Sequence, residues 1–171
     1  MKLVPHFINR AENPGSGARR GEVFDPALGT QVAEVVFADQ SDIYVAVEVA
    51  HAAFATWKET SLAKRSSIMF AFRQLLDERK QELAEIITTD HGKVVSDALG
   101  EINRGLEVVD FACGLPHLLK GEYSENASTS IDVYSVKQPL GVVGIFSPFN
   151  FPAMVPMWFF QWQLLPVTQS Y

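Results

Sequence analysis

The feature that most constrains this chain is the run from Gly141 to Phe146, GVVGIF, six residues with no charge and no polar side chain. A run so short and so uniformly apolar is predicted to be a strand buried on both faces of a parallel sheet, which sets the fold class as α/β. It empties directly into Ser147-Pro148-Phe149-Asn150-Phe151-Pro152. A buried strand followed by such a turn and then a helix is the arrangement in which open α/β sheets hold ligands at the carboxyl ends of their strands.

Upstream the pattern is mostly helical. After a turn-rich opening around Asn13 to Gly17, the stretch GEVFDPALGTQVAEVVF reads as a hairpin, two β-prone runs flanking Asp25 to Gly29. Asp39 or Ser41 then caps a helix that carries Ile43, Val47, Ala50 and Phe54 on one face and ends near Trp57. Ser61 is predicted to cap another, with Ile68, Phe72, Leu75 and Leu76 as its stripe. Leu83, Ile86 and Ile87 are expected to form a third, short helix stopped at Gly92, where a missing Cβ permits the left-handed conformation. From Val94 to Leu119 a longer pattern puts Ala98, Ile102, Leu106, Val109 and Ala112 or Cys113 on one side and Asp97, Glu101, Arg104 and Glu107 on others. Gly121 to Ser128 reads as polar loop, and Ser130 to Lys137 alternates as a half-exposed strand does.

Composition narrows the function classes. The 171 residues are 47% hydrophobic and 20% charged, as in an ordinary packed protein of one domain. A net charge of -6 offers no attraction to phosphate backbones, so no nucleic-acid partner is expected. The apolar window Leu140 to Leu165 is interrupted by Pro148, Pro152, Pro156 and several polar residues, which argues against a membrane span. The single cysteine, Cys113, cannot close a disulfide within the chain and fits a reducing compartment, cytoplasm or organelle matrix. His6, His51, His91 and His117 are scattered singly, so no metal site is expected.

Order and spacing of DPALG, the helix end at Trp57, DHGK at Asp90 to Lys93, EINRGLEVVDFACG and the SPFNFP turn make Phe7 to Phe160 resemble the aldehyde dehydrogenase superfamily. RGLEVV, the long match SIDVYSVKQPLGVVGIFSPFNFPAMVPMWFF and a phenylalanine at Phe149 in place of a usual tryptophan resemble its CoA-acylating methylmalonate-semialdehyde branch. The resemblance implies the N-terminal part of that fold, incomplete: a Rossmann-like NAD-binding domain with a helical N-terminal region and an oligomerisation strand. On that basis residues 1–125 are the helical part of the NAD-binding domain and 126–138 the oligomerisation arm. Residues 139–160 are then the first sheet strand and its following helix.

It further implies oxidation of a 3-oxo acid such as methylmalonate or malonate semialdehyde, with decarboxylation. NAD is the cofactor, coenzyme A the acceptor, and propanoyl-CoA or acetyl-CoA the product, made by a homo-oligomer, cytoplasmic or in the mitochondrial matrix. In such enzymes a cysteine thiolate attacks the aldehyde and CoA takes the thioester. That cysteine lies far downstream in the family; Cys113, in a helical apolar stripe, reads as a buried small hydrophobe.

By the same resemblance, Asn150 donates its side-chain amide to the oxyanion; the bland alternative is an asparagine stabilising a turn. Phe146, Ser147, Pro148 and Phe149 would line the nicotinamide side of the NAD site, or be ordinary strand and turn residues. Arg104 would grip the substrate carboxylate, which a guanidinium does through two parallel hydrogen bonds. Its alternative is a solvated lattice with Glu101 and Glu107, three residues away on either side.

After Phe160 the family pattern implies Pro-Val-Ala-Ile-Ala-Ser-Gly-Asn-Thr-Ile-Val, and one restored base converts QWQLLPVTQSY into those residues. Gln161 to Tyr171 are therefore expected to be translated out of frame, with the chain as given inactive and prone to aggregate. Alternatives are a non-acylating dehydrogenase fragment, a non-catalytic assembly module, and a pseudogene product.

Overall fold

The structure, a computed structural model, describes residues 2–164, with side chains through Phe159. The chain opens with strands. β1 (Lys2–Val4) runs parallel to β5 (Gln31–Val36), and β4 (Arg20–Phe24) pairs with β5 antiparallel, in the order β1-β5-β4. Asp25 turns the β4–β5 hairpin as expected: its Oδ1 accepts from the amides of Ala27 at 2.8 Å and Leu28 at 3.1 Å. Between β1 and β4, β2 (His6–Ile8) and β3 (Ala11–Asn13) form a second hairpin just ahead of the turn-rich stretch from Asn13 to Gly17. Its two-residue loop, Asn9 and Arg10, has φ of 53° and 63°, the type I′ geometry that matches strand twist. The segment 1–125 is therefore not helical throughout.

α1 (Gln40–Trp57) starts at Asp39, whose carboxylate accepts from the Ser41 and Asp42 amides, while Asp42 reaches back to the Asp39 amide at 3.0 Å. The two expected helices after Ser61 are one, α2 (Leu62–His91). Nothing in Asp77-Glu78-Arg79-Lys80-Gln81-Glu82 breaks a helix, and pairs three or four residues apart lace that stretch: Arg73 to Asp77, Lys80 to Asp77 and Arg79 to Glu82. Its buried face runs through Met69, Ala84 and Ile87, whereas Leu75, placed in the stripe by spacing, is 56% exposed. Gly92 ends α2 at φ 83°, in the left-handed conformation.

α3 (Val95–Cys113) presents Ala98, Ile102, Leu106, Val109, Ala112 and Cys113 to α2, and this interface is the core. The helical pattern expected to reach Leu119 breaks at Gly114; the short α4 (Leu115–Leu118) follows, with Pro116, which has no amide to donate, in its first turn. Tyr123–Ser128, expected as loop, is β6, which pairs antiparallel with β7 (Ile131–Tyr134). Asp132 staples the hairpin by accepting from Tyr123 Oη and the Asn126 amide, both at 2.9 Å.

Residues 141–146 correct the leading expectation: they form no strand, and Phe146 is 98% exposed. A strand is made by its neighbours' amides and carbonyls, and none of the described strands pairs with this run. Gly141, Val142 and Val143 instead face Ala50, Ala53, Phe54 and Trp57 of α1 across a groove of about 270 Å³. α5 (Met154–Leu164) follows the turn and packs on α3, with Met157 in the core cluster. The expectation for Gln161 to Tyr171 concerns side chains outside those described and, beyond Leu164, residues outside those described. Among the described residues no helix is long and apolar enough to cross a membrane, and no group of His, Cys, Asp and Glu could hold a metal ion.

Candidate functional site

The site is organised by a carboxylate that spacing had placed on the outside of α3. Glu101 is 1% exposed. It falls three residues after Ala98 and four before Gly105, both buried, so it belongs to the same helical stripe. A buried carboxylate must be paired and fully hydrogen-bonded, and this one is. Oε1 accepts from the amides of Ala153 at 2.8 Å and Met154 at 3.1 Å, the first free donors of α5. Oε2 lies 2.6 Å from Lys93 Nζ. Burial pushes the Glu101 carboxyl up, but the Lys93 bond and the two amides together outweigh it and hold the group below the usual carboxylate range.

Lys93 stands immediately after the left-handed Gly92, and its side chain is 13% exposed. Its ammonium also donates to the Asn150 carbonyl at 3.0 Å and sits 4.8 Å from the centre of the Phe151 ring, within cation–π range. The turn is thus gripped on both sides of Pro152. α5 approaches α3 closely at Gly105, where a Cβ would lie 2.5 Å from Met157 Sδ and that side chain would have to move.

The sequence-predicted residues fall into two groups. Phe146, Ser147, Pro148, Phe149 and Asn150 form one exposed stretch, with Phe146 98% and Phe149 89% exposed. Asn150 is held through its backbone, and among the described residues its side chain has no hydrogen-bond partner. Arg104 is exposed on α3, one turn from Glu101, and makes no ion pair among the described residues. The proposed lattice with Glu101 does not exist, because Glu101 is buried and committed to Lys93. Cys113 is buried, and burial, with Asp110 nearby, pushes its thiol up, the reverse of what a nucleophile requires. Lys93 and Glu101 escaped the sequence reading. The available signal was Glu101's place in the α3 stripe.

Chemically, an exposed amide side chain on a backbone anchored by a buried ion pair is a hydrogen-bond donor available to an oxygen on which charge develops. Two uncovered aromatic rings flanking Ser147 and Pro148 offer flat apolar surface beside it.

The family model described as "Aldehyde dehydrogenase family" matches residues 13–165, including the whole turn. A malonate-semialdehyde dehydrogenase of Pseudomonas aeruginosa is 42% identical over 160 residues, 94% of this chain and 32% of that protein. One from Geobacillus kaustophilus is 46% identical over 158 residues, covering 92% and 32%. Among solved structures, the methylmalonate-semialdehyde dehydrogenase of Oceanimonas doudoroffii superposes with TM-score 0.92 at 40% identity, over 98% of this chain and 34% of that one. The NAD complex of a protein provisionally assigned the same activity, from Sinorhizobium meliloti, gives 0.88 at 42%, over 92% and 32%. The chain spans about a third of the length of the relatives it matches.

Proposed function

The chain belongs to the aldehyde dehydrogenase family, and from that premise we propose that it supplies the cofactor-side segment of an NAD-dependent, CoA-acylating malonate- or methylmalonate-semialdehyde dehydrogenase. The observation that carries the reading is the Asn150 turn, fixed by Lys93 within a segment 42% and 46% identical to malonate-semialdehyde dehydrogenases. In this reading the Asn150 side chain donates to the oxygen that becomes negative when a thiolate adds to the aldehyde carbon. A donor of this kind is worth about 10²–10³ in rate.

Phe146 and Phe149 fit a flat ring system, being aromatic and almost fully uncovered, and Ser147 offers a hydroxyl between them. These residues would hold the nicotinamide end of NAD. When bound, NAD supplies the hydride acceptor. Arg104 binds and orients the substrate carboxylate, its exposed guanidinium having no ion pair among the described residues. The thiolate is not Cys113, whose burial keeps the thiol protonated.

The test is NADH formation from malonate semialdehyde by an enzyme of the relatives' full length that carries residues 1–160 as its N-terminal segment, with and without coenzyme A. Turnover that requires CoA and yields an acyl-CoA is expected. Equal turnover without CoA, yielding a free acid, would replace this reading with the hydrolytic one.

A further inference from the structure

We infer that Lys93 and Glu101 act together as a positioning clamp that sets the place of the Asn150 side chain by holding the backbone on both sides of Pro152; the catalytic half of this inference rests on the reading of Asn150 given above. Three features single the pair out. Glu101 is a buried ionised group beside the apolar cluster to which Ile102 and Val109 belong, and it is not itself a member of that cluster. Both its oxygens are spent on one segment: Oε1 on the Ala153 and Met154 amides, Oε2 on the lysine that bonds Asn150. And the contacts reach 52 and 57 residues along the chain to converge on a stretch of four residues.

The division of labour is specific. Glu101 fixes the start of α5 directly, whereas Lys93 fixes Asn150 and depends on Glu101 for its own position. Neither side chain is offered to substrate: Glu101 is enclosed, and the Lys93 ammonium is occupied by a carboxylate, a carbonyl and a ring. They are positioning residues. Charge is essential to the arrangement, because a neutral Gln at 101 keeps an oxygen for the two amides but turns an NH₂ donor toward the lysine.

Amide relaxation and hydrogen exchange on the full chain test the clamp without any activity. In Lys93→Met, backbone order parameters at Phe149 to Phe151 are expected to fall from about 0.85 toward 0.6, because the bond lost is the one to the Asn150 carbonyl, while the Ala153 and Met154 amides, bonded to Glu101, stay protected. Glu101→Gln should loosen the turn as well, and Lys93→Arg should largely restore it. Ile102 and Val109 report the core. Unchanged order parameters in the turn of Lys93→Met would overturn the inference, and so would faster exchange at Ile102 and Val109, since the pair would then hold the fold and not the turn.

In that full-length enzyme, Lys93→Met should lower kcat about 10- to 100-fold with KM for the semialdehyde within about twofold, as expected when a donor is displaced by a fraction of an ångström. Added to Asn150→Ala it should bring no further loss, because it acts through that amide. Additive losses would sink the clamp. Normal turnover in Asn150→Ala alone would remove the catalytic half and the function proposed above, leaving the relaxation and exchange data to decide the structural half.

Discussion

Lys93 Nζ and Glu101 Oε2 are 2.6 Å apart, with the carboxylate side chain wholly buried and the ammonium 13% exposed. Breaking one side of such a pair strands the other charge. Glu101→Ala is expected to destabilise the chain by about 3 kcal/mol, because Lys93 and two α5 amides lose their acceptor together. Glu101→Gln should lose less, since its remaining oxygen still serves Ala153 and Met154. Urea unfolding of the two variants checks the order.

At Gly105 the expected fault is crowding. A Cβ there meets Met157 Sδ at 2.5 Å and Met154 Cα at 3.5 Å. Gly105→Val should be destabilising by about 1–3 kcal/mol, and shortening the opposing side chain in Gly105→Val/Met157→Ala should return part of it. If the double variant is less stable than the sum of the singles, α5 does not pack on α3 in this way.

Gly92 combines a backbone and a contact requirement. Its φ is 83°, and an added Cβ would lie 2.9 Å from Pro26 Cγ. Gly92→Ala is expected to lower stability by about 1–2 kcal/mol and to shift Lys93, loosening the Asn150 turn. Gly92→Asn, which tolerates the left-handed region, should recover the backbone part. Thermal unfolding distinguishes the two.

Acid should weaken the α1 cap as Asp39 takes up its proton. Hydrogen bonds from Ser41, Ser16 and the Asp42 amide hold Asp39 at about 2, below its ordinary 3.8. The unfolded chain therefore binds this proton at a higher pH than the folded one, so its contribution is complete above about 4 and fades as pH falls toward 2. Asp39→Asn, which still accepts the amide bonds, should flatten that part of the acid titration of helicity. An unchanged acid limb would show that Asp39 is not the group responsible.

For the proposed reaction, Arg104→Met should raise KM for a carboxylate-bearing semialdehyde about tenfold or more while sparing simple aldehydes. Steady-state kinetics on both substrate types provides the check. Parallel losses on the two would assign Arg104 to structure.

What the sequence made legible was local. Ser61, Asp39 and Gly92 announced helix ends through the chemistry of single residues, and the α3 stripe followed from spacing. Two kinds of information were out of reach. The joining of two expected helices into α2 depended on charged pairs that offset the polarity of residues 77 to 82, which an apolar period cannot register. The site depended on contacts spanning more than fifty residues: Glu101 reads as solvent-facing until α5 is known to stand above it. Gly141 to Phe146 failed in the opposite sense, since the local pattern of a buried strand is present and the strands that would pair with it are not among those described.

The length of α2 has a mechanical meaning. Thirty residues with neither Gly nor Pro make a strut of about 45 Å without a kinking point. At one end Arg65 brackets the carbonyls of Trp57 and Lys58, each at 2.9 Å, and at the other the helix hands over through Gly92 to Lys93. One continuous rod therefore joins the end of α1, anchored by Arg65, to the lysine whose ammonium grips Asn150.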